Sequence, residues 1–217
     1  MNKASIILSD ICWTLYYSNT TFDFLDYTIQ DPRYISLRKR YRQPLYRKLN
    51  ILWYRLTGID LHRRKAVVFL KGRTKKELLE QAEHFYQEYL IPRQTEEVHK
   101  AIGNSPIVLV SGTLDIIAQA IARHIKVSEI HASRLLFDEK GICKGELDDF
   151  LLRKSDVLQQ YHHFTIFTDN LTDLPLVRAA DKAFIVEYGN QERWQRALAD
   201  SKNSSQITFI HATTARY

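Results

Sequence analysis

Four polar residues stand just beyond, or shortly before, apolar runs of this 217-residue chain, and their types belong together chemically. Asp10 follows SIILS (5–9), Ser111 follows PIVLV (106–110) and Asp169 follows HFTIFT (163–168), while Lys154 stands nine residues before His163. Carboxylates suit a hard cation, and a hydroxyl and an ammonium donate to the oxygens of an anion. Brought together, the four would surround one cation-bound anion. Taken singly each has an ordinary use: Asp10 as a turn or cap residue, Ser111 as the N-cap of a helix starting near Thr113, Lys154 as a solvated helix lysine. A functional reading therefore requires that they converge.

The elements that would bring them together can be read from the apolar pattern. The three runs above, with AFIVE (183–187) and QITFI (206–210), are short and rich in β-branched residues, as expected of central parallel strands. Helical spacing over Leu114–His124 and Asp148–Tyr161 separates them. Strand and helix in alternation predict an α/β fold, a three-layer, Rossmann-like parallel sheet, and ligands in such sheets bind beyond the carboxyl ends of the strands. RLLFDEKGICKG (134–145) reads as a hairpin turning at Lys140-Gly141.

Residues 17–100 break the rhythm with helical spacing throughout, which predicts an inserted helical cap on a core of residues 1–16 and 101–217. Thr74 and Glu77 form a capping-box pattern ahead of a helix of about four turns that stops near Pro92. Tyr34–Thr57 reads as helix interrupted at Pro44 and stopped by Gly58, and residues 59–71 as a further short helix.

In this order the polar positions resemble the motifs of the haloacid dehalogenase superfamily of phosphohydrolases, over nearly the whole chain. Asp10-Ile11-Cys12-Trp13-Thr14 is similar to its Asp-x-Asp-x-Thr motif at the first and last positions. Ser111-Gly112-Thr113 matches the second motif, Lys154 in RKSDVL the third, and Asp169 with Asp173 in TDNLTDLP the fourth. A small cap after the first motif resembles the phosphoserine phosphatase subgroup. The resemblance implies a Mg2+-dependent phosphatase of small phosphorylated substrates: Asp10 as nucleophile, and magnesium held by Asp10, Asp169, the backbone carbonyl of Cys12 and, less directly, Asp173. It further implies that Ser111 and Lys154 hold the phosphoryl group, with Thr14, Gly112 and Asn170 beside the substrate.

Cys12 departs from the pattern, because the family's second aspartate protonates the leaving oxygen. A thiol beside carboxylates stays neutral and is a much weaker acid. Three readings follow: a slow phosphatase favouring good leaving groups, an enzyme borrowing an acid from the cap (His62 or His84), or a non-catalytic phosphate-binding or regulatory protein on the same scaffold. Hydrolytic dehalogenation, which also uses an aspartate nucleophile, needs no metal cluster, and the acidic pair at 169 and 173 argues against it.

Composition narrows the setting. The net charge of +6 hides an uneven distribution, since residues 31–75 carry 14 Lys or Arg against Asp31 and Asp60. This segment can be the solvated face of a helical cap, can draw in an anionic substrate or a phospholipid surface, or can meet nucleic acid. The helical spacing of its aromatics makes nucleic acid the least favoured. Two cysteines without paired spacing indicate neither a disulfide framework nor a zinc site. The apolar run in MNKASIILSD is too short for a signal peptide or a span, so a cytoplasmic protein, peripheral to the membrane if the basic segment meets lipid, is expected.

Overall fold

The computed structural model describes residues 6–189, 191–199 and 206–212; Ser5, the first residue of the expected first strand, lies outside them. Among the described residues seven strands form one sheet: β1 (Ile6–Ser9), β2 (Ile107–Leu114), β3 (Val127–Phe137), β4 (Cys143–Asp148), β5 (Phe164–Thr168), β6 (Lys182–Glu187) and β7 (Gln206–His211). Their order is β4-β3-β2-β1-β5-β6-β7, parallel throughout except for the antiparallel β3–β4 pair.

The sheet is buried on both faces, and β2 shows how its sequence achieves this. Ile107 and Leu109 join one apolar cluster while Val108 and Val110 join the other, because successive side chains of a strand point to opposite faces. Between β1 and β2 lie six α-helices: α1 (Thr20–Thr28), α2 (Pro32–Arg42), α3 (Pro44–Thr57), α4 (Leu61–Val67), α5 (Lys75–Phe85) and α6 (Glu96–Ile102). α7 (Asp115–Ala122) follows β2, α8 (Leu174–Ala179) follows β5 and α9 (Gln191–Leu198) follows β6. Phe24 and Leu25 of α1, Leu78, Ala82 and Phe85 of α5 and Val98 of α6 share one cluster with Ile116, Ile117 and Ile121 of α7. Trp194 of α9, with Leu176 and Val177 of α8, covers the other face. Three layers result.

Local chemistry explains most boundaries. The Thr74 hydroxyl accepts from the Glu77 amide and the Glu77 carboxylate accepts from the Thr74 amide, so the expected capping box starts α5. Pro44 opens α3 and Gly58, at φ 72°, closes it in the left-handed conformation. The hairpin turn forms with Gly141 at φ 75°, and the Asp138 carboxylate accepts from the Lys140 and Ile142 amides.

Two expectations are corrected. Asp148–Tyr161 is not an α-helix: β4 runs to Asp148 and only a short 3-10 helix, Lys154–Gln159, follows. The side chain of Asp149 accepts from the Leu151 amide and Ser133 Oγ accepts from the Phe150 amide, so these donors are taken by side chains in place of helix carbonyls. The first half of β3 was not expected as a strand, because VSEIHAS is polar and partly exposed, yet it continues the parallel sheet beside β2.

Candidate active site

The carboxyl ends of β1, β2 and β5 converge on a cavity of about 170 Å3 whose lining includes Asp10, Cys12, Ser111, Gly112, Lys154, Asp169 and Asn170. Adjacency of the strands makes this unavoidable, since β1 lies between β2 and β5 and each polar residue is the first beyond its apolar run or ends it. The chain turns sharply after Asp10: the Ile11 carbonyl accepts from the amides of Thr14, Leu15 and Tyr16. Trp13 pays for that turn with φ 55°, a strained conformation for an aromatic residue, and its carbonyl accepts from the Tyr188 hydroxyl at 2.7 Å.

Lys154 is the centre of the ion network. Its Nζ donates to Asp10 Oδ2 at 2.7 Å and to Asp173 Oδ2 at 2.9 Å, and all three side chains are 5% exposed or less. The ammonium resists burial because the two carboxylates hold it protonated, with its pKa raised well above the lysine range. Asp173 is further fixed by the Thr168 hydroxyl at 2.7 Å and does not line the cavity. Its work is to orient and balance Lys154.

Asp169 is held from the other side. The Thr14 hydroxyl donates to its Oδ1 at 3.3 Å and accepts from its amide at 3.1 Å, so Thr14, fully buried and absent from the cavity lining, positions Asp169. Burial, followed by the charge of Asp10, pushes the Asp169 carboxyl up to about 8. Burial likewise raises Asp173 against the pull of Lys154. Three carboxylates to one ammonium leave −3 + 1 = −2 when all are ionised, an imbalance a divalent cation would remove. Among the described residues no group of three or more His, Cys, Asp or Glu forms a ready-made metal cage. Magnesium needs none, because it takes one or two carboxylates and fills its remaining positions with water and phosphate oxygens. Asp10 and Asp169 therefore fit the ion.

Cys12 sits in a chain of hydroxyls. Its Sγ lies 3.0 Å from Thr20 Oγ1 and 3.3 Å from Thr113 Oγ1, those two oxygens are 2.7 Å apart, and Thr113 Oγ1 is 2.9 Å from Ser111 Oγ. Burial first, and the Asp10 charge second, raise the thiol, which stays neutral at physiological pH as expected. Space at Gly112 is tight, since a Cβ there would meet Leu151 Cδ1 at 2.6 Å and Arg63 Nη1 at 3.3 Å and would displace the Leu151 side chain. Asn170 lines the cavity, but its side chain is engaged in accepting from the Thr172 amide at 3.1 Å.

The helical segment contributes residues that the sequence did not single out. Arg63 of α4 is buried, donates to the Gly112 carbonyl and pairs with Asp149 at 3.2 Å. Asp60, the N-cap of α4, lines the cavity as well. Nothing marked Arg63 out from its neighbours in DLHRRKAV, while Asp60 is the single acid of that basic run beyond Asp31. The two histidines considered as substitute acids fail. His62 is stacked between Phe22 and Tyr41, outside the cavity lining, and burial beside Arg38 lowers it to about 4, so it is neutral. His84 is exposed on α5, away from the lining.

A doubly covered, mostly parallel sheet with carboxylates and a lysine gathered at its carboxyl edge defines a three-layer α/β class in which an aspartate follows the first strand. Residues 7–178 match the family model of haloacid dehalogenase-like hydrolases, and the chain belongs to that family. No curated protein matches it in sequence. Among solved structures it is similar to a protein of unknown function from Bordetella pertussis Tohama I (18% identity, 93% of this chain and 96% of that one, TM-score 0.66). It also resembles a substrate-bound phosphoserine phosphatase (16% identity, 95% and 94%, TM-score 0.57). A third likeness is to cytosolic 5'-nucleotidase IIIB bound to cytidine (13% identity, 93% and 80%, TM-score 0.56). At such identities these likenesses speak for the fold.

Proposed function

We propose that this hydrolase is a magnesium-dependent phosphate-monoester hydrolase that works through an aspartyl-phosphate on Asp10 and acts on small phosphorylated substrates. The observation that carries the reading is the bridge of Lys154 between Asp10 and Asp173 in a cavity also lined by Ser111 and Asp169. Each Asp10 oxygen makes one contact, Oδ1 with the Ile11 amide at 2.7 Å and Oδ2 with Lys154, so each keeps a lone pair. In the first step that lone pair forms a bond to phosphorus as the ester P–O bond breaks, and the leaving oxygen departs with the bonding pair as an anion that takes its proton from solvent water. In the second, water attacks the same phosphorus and the Asp10–phosphorus bond breaks, releasing phosphate and the free carboxylate. Magnesium, when bound, would neutralise charge on the transferring oxygens. Lys154 and Ser111 hold those oxygens, Thr14 aims Asp169, and Asp173 keeps Lys154 charged.

The neutral Cys12 thiol supplies no efficient proton to the leaving oxygen, an omission that costs roughly 10²–10⁴ in rate for poor leaving groups. Aryl and anhydride phosphates are therefore the preferred substrates. The domain reading is that residues 17–100, which supply Asp60 and Arg63 to the cavity, form the cap that selects the substrate. Two unpaired cysteines, Cys12 and Cys143, suit a reducing cytoplasm. Phosphate release from p-nitrophenyl phosphate tests the proposal. Turnover that requires magnesium and vanishes in Asp10→Asn is expected. A purified protein that binds phosphate but shows no Asp10-dependent release would instead favour the non-catalytic reading, to which the missing acid at position 12 lends weight.

A further inference from the structure

α3 is a 14-residue helix without one buried residue. Leu45, Leu49, Leu52 and Leu56 follow an i, i+4, i+7, i+11 spacing, which places them within about 60° of one another around the axis. Their exposures are 65%, 53%, 54% and 75%. Tyr46 and Trp53, also exposed, flank this stripe on one side, and Lys48 and Arg55 flank it on the other. Asn50 and Tyr54 face the opposite way, into the protein; Asn50 Nδ2 donates to Asp60 Oδ1 at 3.0 Å and its Oδ1 accepts from the His62 amide at 3.2 Å. The helix is thus fastened by its polar side, and the leucine stripe is turned outward. Monomeric proteins rarely leave such a stripe uncovered.

The charge around the stripe identifies its cover. From Asp31 to Gly58 there are eight Lys or Arg and one acid, Asp31. A second copy of the chain would bring like charge against like. A nucleic acid would engage the cations and leave four leucines in water. An anionic bilayer accommodates both, taking leucines below the headgroups, cations among the phosphates and Trp53 and Tyr46 at the boundary. We infer that α3 docks the protein onto anionic phospholipid surfaces, lying flat with its leucine stripe embedded. Among the described residues no helix is long and apolar enough to cross a membrane, so the association is one of surface binding. Docking also sets the cavity close to the lipid. Gly58, which ends α3, packs on Leu152, next to the cavity-lining Leu151, and Asp60 and Arg63 of the lining lie a few residues further along the chain.

The test is co-sedimentation of the full chain with phosphatidylcholine vesicles prepared with and without phosphatidylglycerol, at near-physiological salt. Retention on the anionic vesicles alone is expected. The triple variant Leu49→Ser, Leu52→Ser, Leu56→Ser should weaken it by about tenfold or more with phosphate release from p-nitrophenyl phosphate unchanged, because these side chains are more than half exposed and none lines the cavity. As a second readout, Trp53 emission should shift to the blue on vesicle addition, a shift lost in Trp53→Phe. Absence of binding to anionic vesicles, or equal binding by the triple variant, overturns the inference. So does a concentration-dependent dimer that the triple variant abolishes, or capture of single-stranded RNA in place of vesicles. Because Asp10→Asn should bind vesicles like the parent chain, a negative result here leaves the phosphatase reading standing on its own test.

Discussion

The two strongly charged regions of this protein obey different physics. At the carboxyl edge of the sheet, Lys154 is enclosed with Asp10 and Asp173, each nearly free of solvent, so every charge there requires its partner. Along α2 and α3 the cations are solvated, except Arg38, which is largely covered and paired with Asp26 at 2.8 Å. The Arg33–Asp31 and Arg42–Asp26 pairs are exposed on their arginine side, and pairs of that kind are individually worth about 0–1 kcal/mol. Enclosure suits the first region to the single anion proposed for it, while openness suits the second to an attraction whose strength would come from number. Where charge lies relative to water decides which role it takes.

Substitution should separate the regions sharply. Lys154→Met leaves a buried group of carboxylates without its cation and should cost about 3–5 kcal/mol of stability in chemical denaturation, besides all phosphatase activity. A loss under 1 kcal/mol would mean that the network is wet and the contrast mistaken.

At the join between the regions stands His62 of α4, whose folded pKa of about 4 lies below the ordinary histidine value. The sign follows from linkage: the unfolded chain takes up the proton first, so this contribution is fully present above about pH 6.5 and is lost as pH falls towards 4. Its size is on the order of 2 kcal/mol, since a tenfold change in proton affinity is worth about 1.4 kcal/mol and the pocket is only partly dry. Comparing the parent chain with His62→Gln, denaturation midpoints should converge as pH is lowered through this window. Parallel pH profiles would show that His62 titrates normally and belongs with the solvated region.

Restoring the absent acid is a smaller change in energy. Cys12→Asp should raise turnover on an aryl phosphate by about tenfold, or roughly 1.4 kcal/mol of barrier, and by more on an alkyl phosphate. An unchanged rate on both would locate the acid elsewhere, with Asp60, which lines the same cavity, the first residue to substitute. The least effect belongs to the open region: Arg55→Gln should alter stability by no more than about 0.5 kcal/mol while lowering affinity for anionic vesicles by roughly fivefold. A larger loss of stability would place Arg55 in the packed interior.

The apolar runs revealed the parallel strands because a strand buried on both faces must be continuously hydrophobic, as PIVLV is. From the strand ends the neighbourhood of Asp10, Ser111 and Asp169 could be anticipated. Lys154 was found for a partly wrong reason, since its supposed helix is a strand end, a side-chain-bonded turn and a 3-10 helix. Helical periodicity cannot register that Ser133 and Asp149 would take up the amides of that turn. Arg63 and Thr20 were invisible because their roles come from contacts across long stretches of chain, 49 residues to Gly112 for one and 93 to Thr113 for the other. The fate of the two amphipathic helices was equally unreadable. α5 and α3 both carry apolar stripes, yet Leu78, Ala82 and Phe85 are buried against α7 whereas the α3 leucines face outward. A stripe declares that something covers it, and only the fold tells whether the cover is protein.

The central claim is that Asp10 attacks phosphorus, and it can be seen directly. With an efficient donor such as p-nitrophenyl phosphate and magnesium, the weak acid-base help from Cys12 should slow release of the intermediate and let it accumulate. Acid quench followed by peptide mass spectrometry should then find an acyl phosphate on Asp10 in the parent chain, much less of it in Cys12→Asp, and none in Asp10→Asn. Turnover without phosphate on Asp10, or phosphate carried by another residue, would contradict the account.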